Sequence, residues 1–186
     1  MALKKYKTIF LDQDGVLASF TSSVIKQVNS ATGSNVTLED AVNSSRWDLE
    51  HLWGMSQSDW WNAIDLNPNF WLEIEPFPWA NQLVDDLKNY CDELVILTNP
   101  NCISQKLIWL KKHLNMPSRN VCTFAITGKK KYLLAREDAL LIDDSKPNCD
   151  SFIGNGGSAA LVPSDWNTLD LSYNMVWNKI AKHLFN

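Results

Sequence analysis

Two carboxylates follow the first apolar run of the chain, and they are the residues best placed to do chemistry. Asp12 and Asp14 come directly after Ile9–Leu11, and Gly15 behind them permits a sharp turn. The run predicts a buried strand that delivers both acids to one edge of a sheet. Because two negative charges held this close repel, the fold must offset them with a cation or a shared proton. The alternative is an ordinary acidic turn after a strand.

Three further groups of polar residues come at the ends of later predicted elements. They are Thr98 with Asn99, the lysines at 129–131, and Asp143 with Asp144. Because ligands gather at the carboxyl ends of strands in an open parallel sheet, we expect these groups to meet the first two acids. The set suits phosphoryl transfer. Carboxylates bind Mg²⁺, one can attack phosphorus and another can move a proton, while a hydroxyl and a lysine hold the phosphate oxygens.

Each group also has a plain structural explanation. A threonine at a strand end is more often a helix cap than a phosphate ligand, and three consecutive lysines usually form a solvated basic turn. The acids before Ser145 could simply precede a helix whose N-terminus favours negative charge. These separate explanations leave the shared order of the groups along the chain unaccounted for.

The composition indicates a globular protein with a modest negative charge. Its 186 residues are 45% hydrophobic and 20% charged, which suffices for one core or a core with a small insertion. The net charge of −4 gives the protein no general electrostatic attraction for a nucleic acid polymer. Four widely spaced cysteines indicate reduced thiols, and the N-terminal apolar stretch is too short for a signal or a membrane span. We therefore expect a cytoplasmic protein with no membrane partner, and a homodimer stays open.

Strands and helices alternate from residue 81 to the C-terminus. Strands are predicted at Glu93–Thr98, Val121–Thr127, Ala139–Ile142 and Ser158–Val162, and helices from Asn81 to Tyr90, from Asn99 through Leu110, from Lys130 to Ala135 and from Met175 to Phe185. The short connections predict an α/β fold, a Rossmann-like parallel β-sheet with helices on both faces.

The stretch from residue 18 to residue 79 has a different character, because it holds six of the nine tryptophans and little that resembles a strand. Helical spacing over Val24–Ala31 predicts a helix that Gly33 ends, and Ser56 is a predicted cap of a second helix. Prolines punctuate the exit. The sequence thus predicts a catalytic core of residues 1–17 and 80–186 and a helical insertion of residues 18–79.

These groups resemble the four motifs of the haloacid dehalogenase superfamily of phosphohydrolases. In this chain the motifs are Phe10–Leu17, Ile96–Pro100, the lysine cluster and Leu141–Ser145. The helical insertion, Phe20 six residues beyond Asp14, and the segment Phe70–Pro78 are most similar to the 5′(3′)-deoxyribonucleotidases. Gln13 departs from the apolar or aromatic residue often found between the two aspartates.

The resemblance implies a role for each acid. Asp12 would be the nucleophile and a ligand of Mg²⁺, and Asp14 the general acid and base whose backbone carbonyl also reaches the metal. Asp143 would be the third protein ligand, with Asp144 binding the metal indirectly or through water.

The resemblance also implies a phosphate-binding set. Thr98 and the amide of Asn99 would bind the phosphate oxygens. The lysine of the third motif is Lys130 when counted forward from residues 127–128 and Lys131 when counted back from Ala135. Both stay candidates.

Aromatic residues of the helical insertion suggest stacking on a nucleobase. Phe20 is the first candidate because it lies just past the catalytic loop, followed by Trp47 and Trp53, and Arg46 could contact a base or sugar oxygen. Most of the tryptophans must instead pack the insertion's own core.

The sequence therefore predicts a magnesium-dependent phosphomonoesterase that hydrolyses nucleoside 5′-monophosphates, in particular deoxyribonucleotides, through an aspartyl-phosphate. One alternative is a phosphatase of the same superfamily that acts on a sugar phosphate or another small metabolite. A second is a catalytically silent module that binds a phosphorylated ligand or a protein. Single-stranded nucleic acid is a poor fit, since Lys26 and Arg46 are the only lysine or arginine residues of the helical insertion.

Overall fold

A five-stranded parallel sheet lies at the centre of the molecule. The computed structural model describes residues 6–114, 122–126 and 128–185. Its strands are β1 (Tyr6–Leu11), β2 (Cys91–Thr98), β3 (Cys122–Ala125), β4 (Ala139–Asp143) and β5 (Ser158–Leu161). They lie in the order β3-β2-β1-β4-β5, and each neighbouring pair is parallel. The predicted α/β fold is confirmed.

Both faces of this sheet are buried, which explains why its strands are continuous apolar runs. On β1, Ile9 and Leu11 pack into one core and Phe10 into the other, and β2 and β4 alternate in the same way. The first core includes residues of α5 (Ala80–Leu87), α6 (Ile103–His113) and α8 (Tyr173–Phe185). The second includes α7 (Lys146–Gly154) and the end of a 3₁₀ helix at Gly128–Leu134.

The order of the strands places the first and fourth side by side. The chain builds β2 and β3 on one side of β1 and then returns to build β4 and β5 on the other. Leu11 pairs with Ile142, so the next residues, Asp12 and Asp143, are neighbours at this reversal. Open α/β sheets bind their ligands at such a point.

The described chain between β1 and α5 is helical. Its elements are α1 (Phe20–Thr32), α2 (Leu38–Ser44), a 3₁₀ helix at Leu49–Trp53, α3 (Gln57–Asp65) and α4 (Phe70–Glu73). Gly33 ends α1 with a φ of 71°, and the Ser56 side chain accepts a hydrogen bond from the Asp59 amide at the start of α3, both as predicted. The sequence analysis did not predict α2, which begins with a capping box of Thr37 and Asp40.

The chain enters and leaves this helical region at one place. Ala18 and Pro76 form an antiparallel bridge, and the Phe77 amide donates to the Leu17 carbonyl at 2.9 Å. Two chain segments that lie side by side are thus the backbone connection between the helical region and the sheet. The division into a core and an insertion of residues 18–79 stays a prediction.

Two predicted helices need correction, and the ends of one predicted strand lie outside the described residues. The helix expected from Asn99 begins only at Ile103, because Cys102 takes a left-handed conformation with φ 48° that a helix starting at Asn99 could not continue through. The short helix expected from Lys130 to Ala135 is a 3₁₀ helix over Gly128–Leu134. The third strand spans Cys122–Ala125, and the predicted ends Val121 and Thr127 lie outside the described residues.

Two other expectations concern the whole described chain. None of its helices is both long and apolar enough to cross a membrane. Among the described cysteines, Cys102 and Cys149 carry free thiols.

Trp109 provides a test of how the sheet and the helical region are joined. It is fully buried on α6, and its indole N–H donates to the Ile74 carbonyl at 2.6 Å, beyond α4. We expect Trp109→Phe to lower the free energy of unfolding by about 1–3 kcal/mol, since it leaves a buried carbonyl unpaired. Urea unfolding measures this loss. The control Trp177→Phe, at a half-buried position, should cost much less, and equal losses would contradict the account.

Candidate active site

Three buried carboxylates meet where β1 and β4 end. Asp12, Asp143 and Asp144 each offer an oxygen within 4.8 Å of the others. Lys131 lies between two of them, with Nζ 2.9 Å from Asp12 Oδ1 and 2.6 Å from Asp143 Oδ2. Its side chain is almost wholly buried. We call these four residues the acid cluster.

Hydrogen bonds hold the acids in fixed orientations. The Ser145 amide donates to Asp143 Oδ1 at 2.8 Å, and the Asn148 amide group lies 3.2 Å from both oxygens of Asp143. The Trp166 indole donates to Asp144 Oδ2 at 2.7 Å. Since these donors fix the carboxylates before any ligand arrives, the cluster is preorganised.

Burial raises the pKa of two of these acids, Asp12 and Asp144. Burial is the main cause at Asp12; the charges of Asp143 and Asp14 add to it, Lys131 opposes it, and the pKa rises from 3.8 to about 7. Burial and then the charges of Asp143 and Asp12 raise the pKa of Asp144 well above 3.8. Burial by itself lowers the pKa of Lys131, but its two carboxylate partners outweigh that effect and raise it. One lysine cannot balance three acids, so the cluster suits a further positive charge.

A glycine is required at position 15, where the loop after β1 passes the acid cluster. Its φ is +79°, and a Cβ atom there would lie 2.3 Å from Asp144 Oδ2 and 2.9 Å from Ser164 Oγ. Any side chain would therefore displace an acid as well as strain the backbone. This explains the glycine after Asp12-Gln13-Asp14.

Asp14 faces a different lysine. Lys106 of α6 forms an ion pair with Asp14 Oδ2 and donates to Thr98 Oγ1 at 3.1 Å. The lysine is 1% exposed, and its ammonium lies 4.5 Å from the centre of the Trp71 ring. The other oxygen of Asp14 is buried and has no hydrogen-bond partner among the described residues. The Asp14 carboxylate thus pairs with a different lysine from the three acids of the cluster, and a metal role for its backbone carbonyl stays a prediction.

The structure separates the two candidate lysines. Lys131 lies inside the acid cluster, whereas Lys130 is exposed. Thr98 is fully buried at the end of β2, and Asn99 lines the cavity above it. Position therefore favours Lys131 as the lysine that meets a phosphate.

A cavity runs from the acid cluster to the aromatic residues of the helical region. Its lining includes Asp12, Asp14, Asn99, Lys106, Lys131, Asp144, Trp166, Phe20, Trp47, Trp60, Trp61 and Trp71. Three of these rings lie nearly parallel. Phe20 stacks on Trp71 with centroids 5.6 Å apart, and Trp71 stacks on Trp61 at 6.5 Å. The sheet end of the cavity is therefore ionic, and the end in the helical region is mainly aromatic, with Asp48 and Glu50 also in its lining.

Two of the four candidate substrate-binding residues lie elsewhere. Trp53 packs against α1, and its indole donates to Asn29 Oδ1 at 2.9 Å. Arg46 is exposed and forms an ion pair with Asp48. Trp53 and Arg46 are not among the residues that line the cavity. The other two candidates, Phe20 and the largely exposed Trp47, do line it. The structure thus gives no support for placing Trp53 or Arg46 at the substrate.

The sequence analysis missed Lys106, Asn148 and Trp166. Lys106 had a readable signal, because it sits in the apolar stripe of α6 three residues after Ile103 and three before Trp109. A lysine in such a stripe must find a buried partner. Asn148 and Trp166 had no such signal, since only the folded chain brings them to Asp143 and Asp144.

The donor set fits a magnesium ion. All three acids of the cluster offer carboxylate oxygens, the ligands that Mg²⁺ prefers. The charges of neighbouring acids help to raise the pKa of Asp12 and Asp144, and a bound ion would offset this repulsion. The surplus of negative charge beside Lys131 is thus the observation that supports a metal here.

Comparison with known proteins agrees with this geometry. The model of the family described as "5' nucleotidase, deoxy (Pyrimidine), cytosolic type C protein" matches residues 6–179. The chain belongs to this family. As such, it is a nucleotide phosphatase of the haloacid dehalogenase type. A protein of Staphylococcus epidermidis named "Putative 5'(3')-deoxyribonucleotidase" is 24% identical over 183 residues, which cover 96% of this chain and 95% of that one.

Solved structures share the fold of this nucleotidase. CbbY from Rhodobacter sphaeroides, solved in complex with phosphate, is 15% identical with a TM-score of 0.59 and 90% coverage of both chains. A HAD family enzyme from Bacteroides thetaiotaomicron, solved with magnesium and inorganic phosphate, is 15% identical with a TM-score of 0.56, covering 97% of this chain and 100% of that one. At these identities the similarity shows the fold.

The two lysines of the nucleotidase offer a matched test of the acid cluster. We expect Lys131→Met, without added metal, to cost about 3–5 kcal/mol of stability, because it leaves buried carboxylates without their cation. The exposed Lys130→Met should stay within about 0.5 kcal/mol of the unaltered protein. Chemical unfolding with a chelator present measures both.

The loss in Lys131→Met should also depend on pH. Because the pKa of Asp12 is raised from 3.8 to about 7, the folded protein binds more protons than the unfolded chain between these values, and this group's contribution to stability falls as pH rises through that window. Without Lys131, whose charge lowers the pKa of Asp12, that pKa rises further. The loss should therefore be larger at pH 8 than at pH 5, and a pH-independent loss would contradict the assignment.

Proposed function

We propose that this nucleotidase hydrolyses pyrimidine deoxyribonucleoside 5′-monophosphates, with Mg²⁺ as cofactor and an aspartyl-phosphate as intermediate. The observation that carries the proposal is the single cavity with an ionic end and an aromatic end. A nucleoside monophosphate has the same two ends, a dianionic phosphate and a flat base. In this proposal residues 18–79 form a cap that supplies the base end, and the sheet supplies the phosphate end.

The first chemical step would belong to Asp12. Its carboxylate attacks phosphorus and forms a new P–O bond, while the bond to the 5′ oxygen of the nucleoside breaks. Bound Mg²⁺ would neutralise the acid cluster and the phosphate oxygens, held by Asp12 and Asp143 with Asp144 beside them. Because burial raises the pKa of Asp12 to about 7, this added charge would also keep the nucleophile ionised at neutral pH.

Asp14 would move the proton in both steps. As an acid it gives its proton to the departing 5′ oxygen; as a carboxylate it then takes a proton from the water that attacks the aspartyl-phosphate. Phosphate leaves and Asp12 is regenerated. Lys106, paired with Asp14 Oδ2, would hold this carboxyl in place.

The phosphate would be held by groups at two strand ends. The hydroxyl of Thr98, the amide of Asn99 and the ammonium of Lys131 would contact the oxygens that do not react. Thr98 already accepts from Lys106, so its hydroxyl hydrogen is available to an anion.

The base would lie against the parallel rings of Phe20, Trp71 and Trp61. Such faces bind a flat ring without fixing its identity, and Trp47 at an exposed position would add to the far side. The description of the family and the name of the staphylococcal relative support a deoxyribonucleotide. A sugar phosphate lacks the ring that this end would bind.

A substrate panel tests the proposal directly. We expect Mg²⁺-dependent release of phosphate from thymidine and deoxyuridine 5′-monophosphates, with much lower kcat/KM for sugar phosphates and no release after chelation. Phosphate release over a series of monoesters measures this. Equal or better turnover of sugar phosphates would exclude the nucleotidase proposal in favour of a metabolite phosphatase.

The nucleophile can be tested with one substitution. Asp12→Asn should reduce phosphate release to the background rate while leaving the melting temperature unchanged or raised, because it removes one of the repelling charges. The exposed Asp85→Asn serves as the control and should retain full activity. Substantial activity in Asp12→Asn would show that another group attacks phosphorus.

A further inference from the structure

Asp165 is a buried acid that the proposed chemistry does not use. It lies in the loop after β5 and is 4% exposed. Its Oδ2 accepts hydrogen bonds from Ser19 Oγ at 2.7 Å, from the Ser22 amide at 3.2 Å and from Ser22 Oγ at 3.2 Å, while Oδ1 accepts from Ser164 Oγ at 3.2 Å. Four donors thus satisfy one carboxylate.

These bonds cap helix α1 from a distant part of the chain. Ser19 stands at the N-cap position of α1, but its own side chain caps no amide. Asp165, 143 residues further along the chain, accepts the Ser22 amide instead. A negative group at a helix N-terminus satisfies its free amides and interacts favourably with the helix dipole. The first turn of α1 is therefore fixed by the loop after β5.

That loop is itself held against the catalytic residues. The Ser164 amide donates to Asn167 Oδ1 at 3.1 Å, and the Asn167 amide returns a bond to the Ser164 carbonyl at 3.1 Å. The Ser164 hydroxyl packs close to Gly15, since a Cβ atom on this glycine would lie only 2.9 Å from Ser164 Oγ. The Trp166 indole donates to Asp144. Asp165 thus holds α1 from a loop whose position is set by the acid cluster.

Phe20 connects this contact to the substrate. It lies between Ser19 and Ser22 as the first residue of α1, lines the cavity, and stacks on Trp71. We propose that Asp165 is a positioning residue that, by capping α1 from the sheet side, sets the distance of Phe20 from the reacting phosphate. The role rests on the proposed function, since it assigns Phe20 to the base end of the cavity.

Such a residue affects recognition of the nucleoside more than the chemistry at phosphorus. Releasing the first turn of α1 moves the ring that contacts the base, whereas Asp12, Asp143 and Lys131 keep their own hydrogen bonds and ion pairs. A substrate without a base should therefore be nearly insensitive to Asp165.

The test compares two substrates and one matched control. Asp165→Ala should lower kcat/KM for thymidine 5′-monophosphate by about tenfold, mainly through KM, as expected for the loss of a helix cap. For 2-deoxyribose 5-phosphate the change should stay within about threefold, under the same energetic reasoning. Asp170→Ala removes an exposed acid five residues further on and should change neither value.

Hydrogen exchange gives a second readout that needs no substrate. In Asp165→Ala the amides at the start of α1 should exchange faster than in the unaltered protein, and in Asp170→Ala they should not. Ser19→Ala, which removes one donor, should shift both readouts in the same direction by less, and it replaces Asp165→Ala if that variant does not fold.

Three results would overturn the proposal: equal loss on both substrates, no loss on the nucleotide, or unchanged exchange at α1. Equal turnover of both substrates by the unaltered protein would instead contradict the proposed function. The exchange experiment would then still decide whether Asp165 fixes α1.

Discussion

Three buried carboxylates share one lysine, and much of the structure around them follows from this imbalance. The parallel register of β1 and β4 forces Asp12 and Asp143 together, and Asp144 follows in the chain. Ions buried this way are costly unless paired and hydrogen-bonded. Lys131, the Ser145 amide, Asn148 and Trp166 supply those partners from four different places. The acids are therefore held in place and remain short of positive charge, which fits the proposed metal ion and phosphate.

Lys106 links the two ends of the cavity. It contacts Asp14 and Thr98 on the ionic side, and its ammonium lies over the Trp71 ring on the aromatic side. Trp71 in turn stacks on Phe20, whose helix is capped by Asp165. The proposed proton transfer and base recognition would thus depend on adjoining contacts. In a nucleotidase this arrangement would make the position of the base matter for the rate at phosphorus.

The sheet and its acids could be predicted because they depend on local patterns. Apolar runs of strand length ending in Asp12, Thr98 and Asp143 define both the fold and the edge at which the acids meet. The start of α6 could not be predicted, since Asn99-Pro100 is a good helix opening and only the left-handed Cys102 delays it. Trp53 and Phe20 look alike in the sequence, and packing alone puts one against Asn29 and the other in the cavity. Contacts between distant residues, such as Asp165 with Ser22, leave no pattern at all.

The central claim is that Asp12 becomes covalently phosphorylated during turnover. The most direct measurement is acid quenching of the protein with a labelled nucleotide, followed by peptide mapping of any phosphate that stays bound. The account expects a transient acyl phosphate on the peptide that contains Asp12, absent from Asp12→Asn. Full turnover with no phosphorylated peptide, or phosphate on another residue, would contradict it.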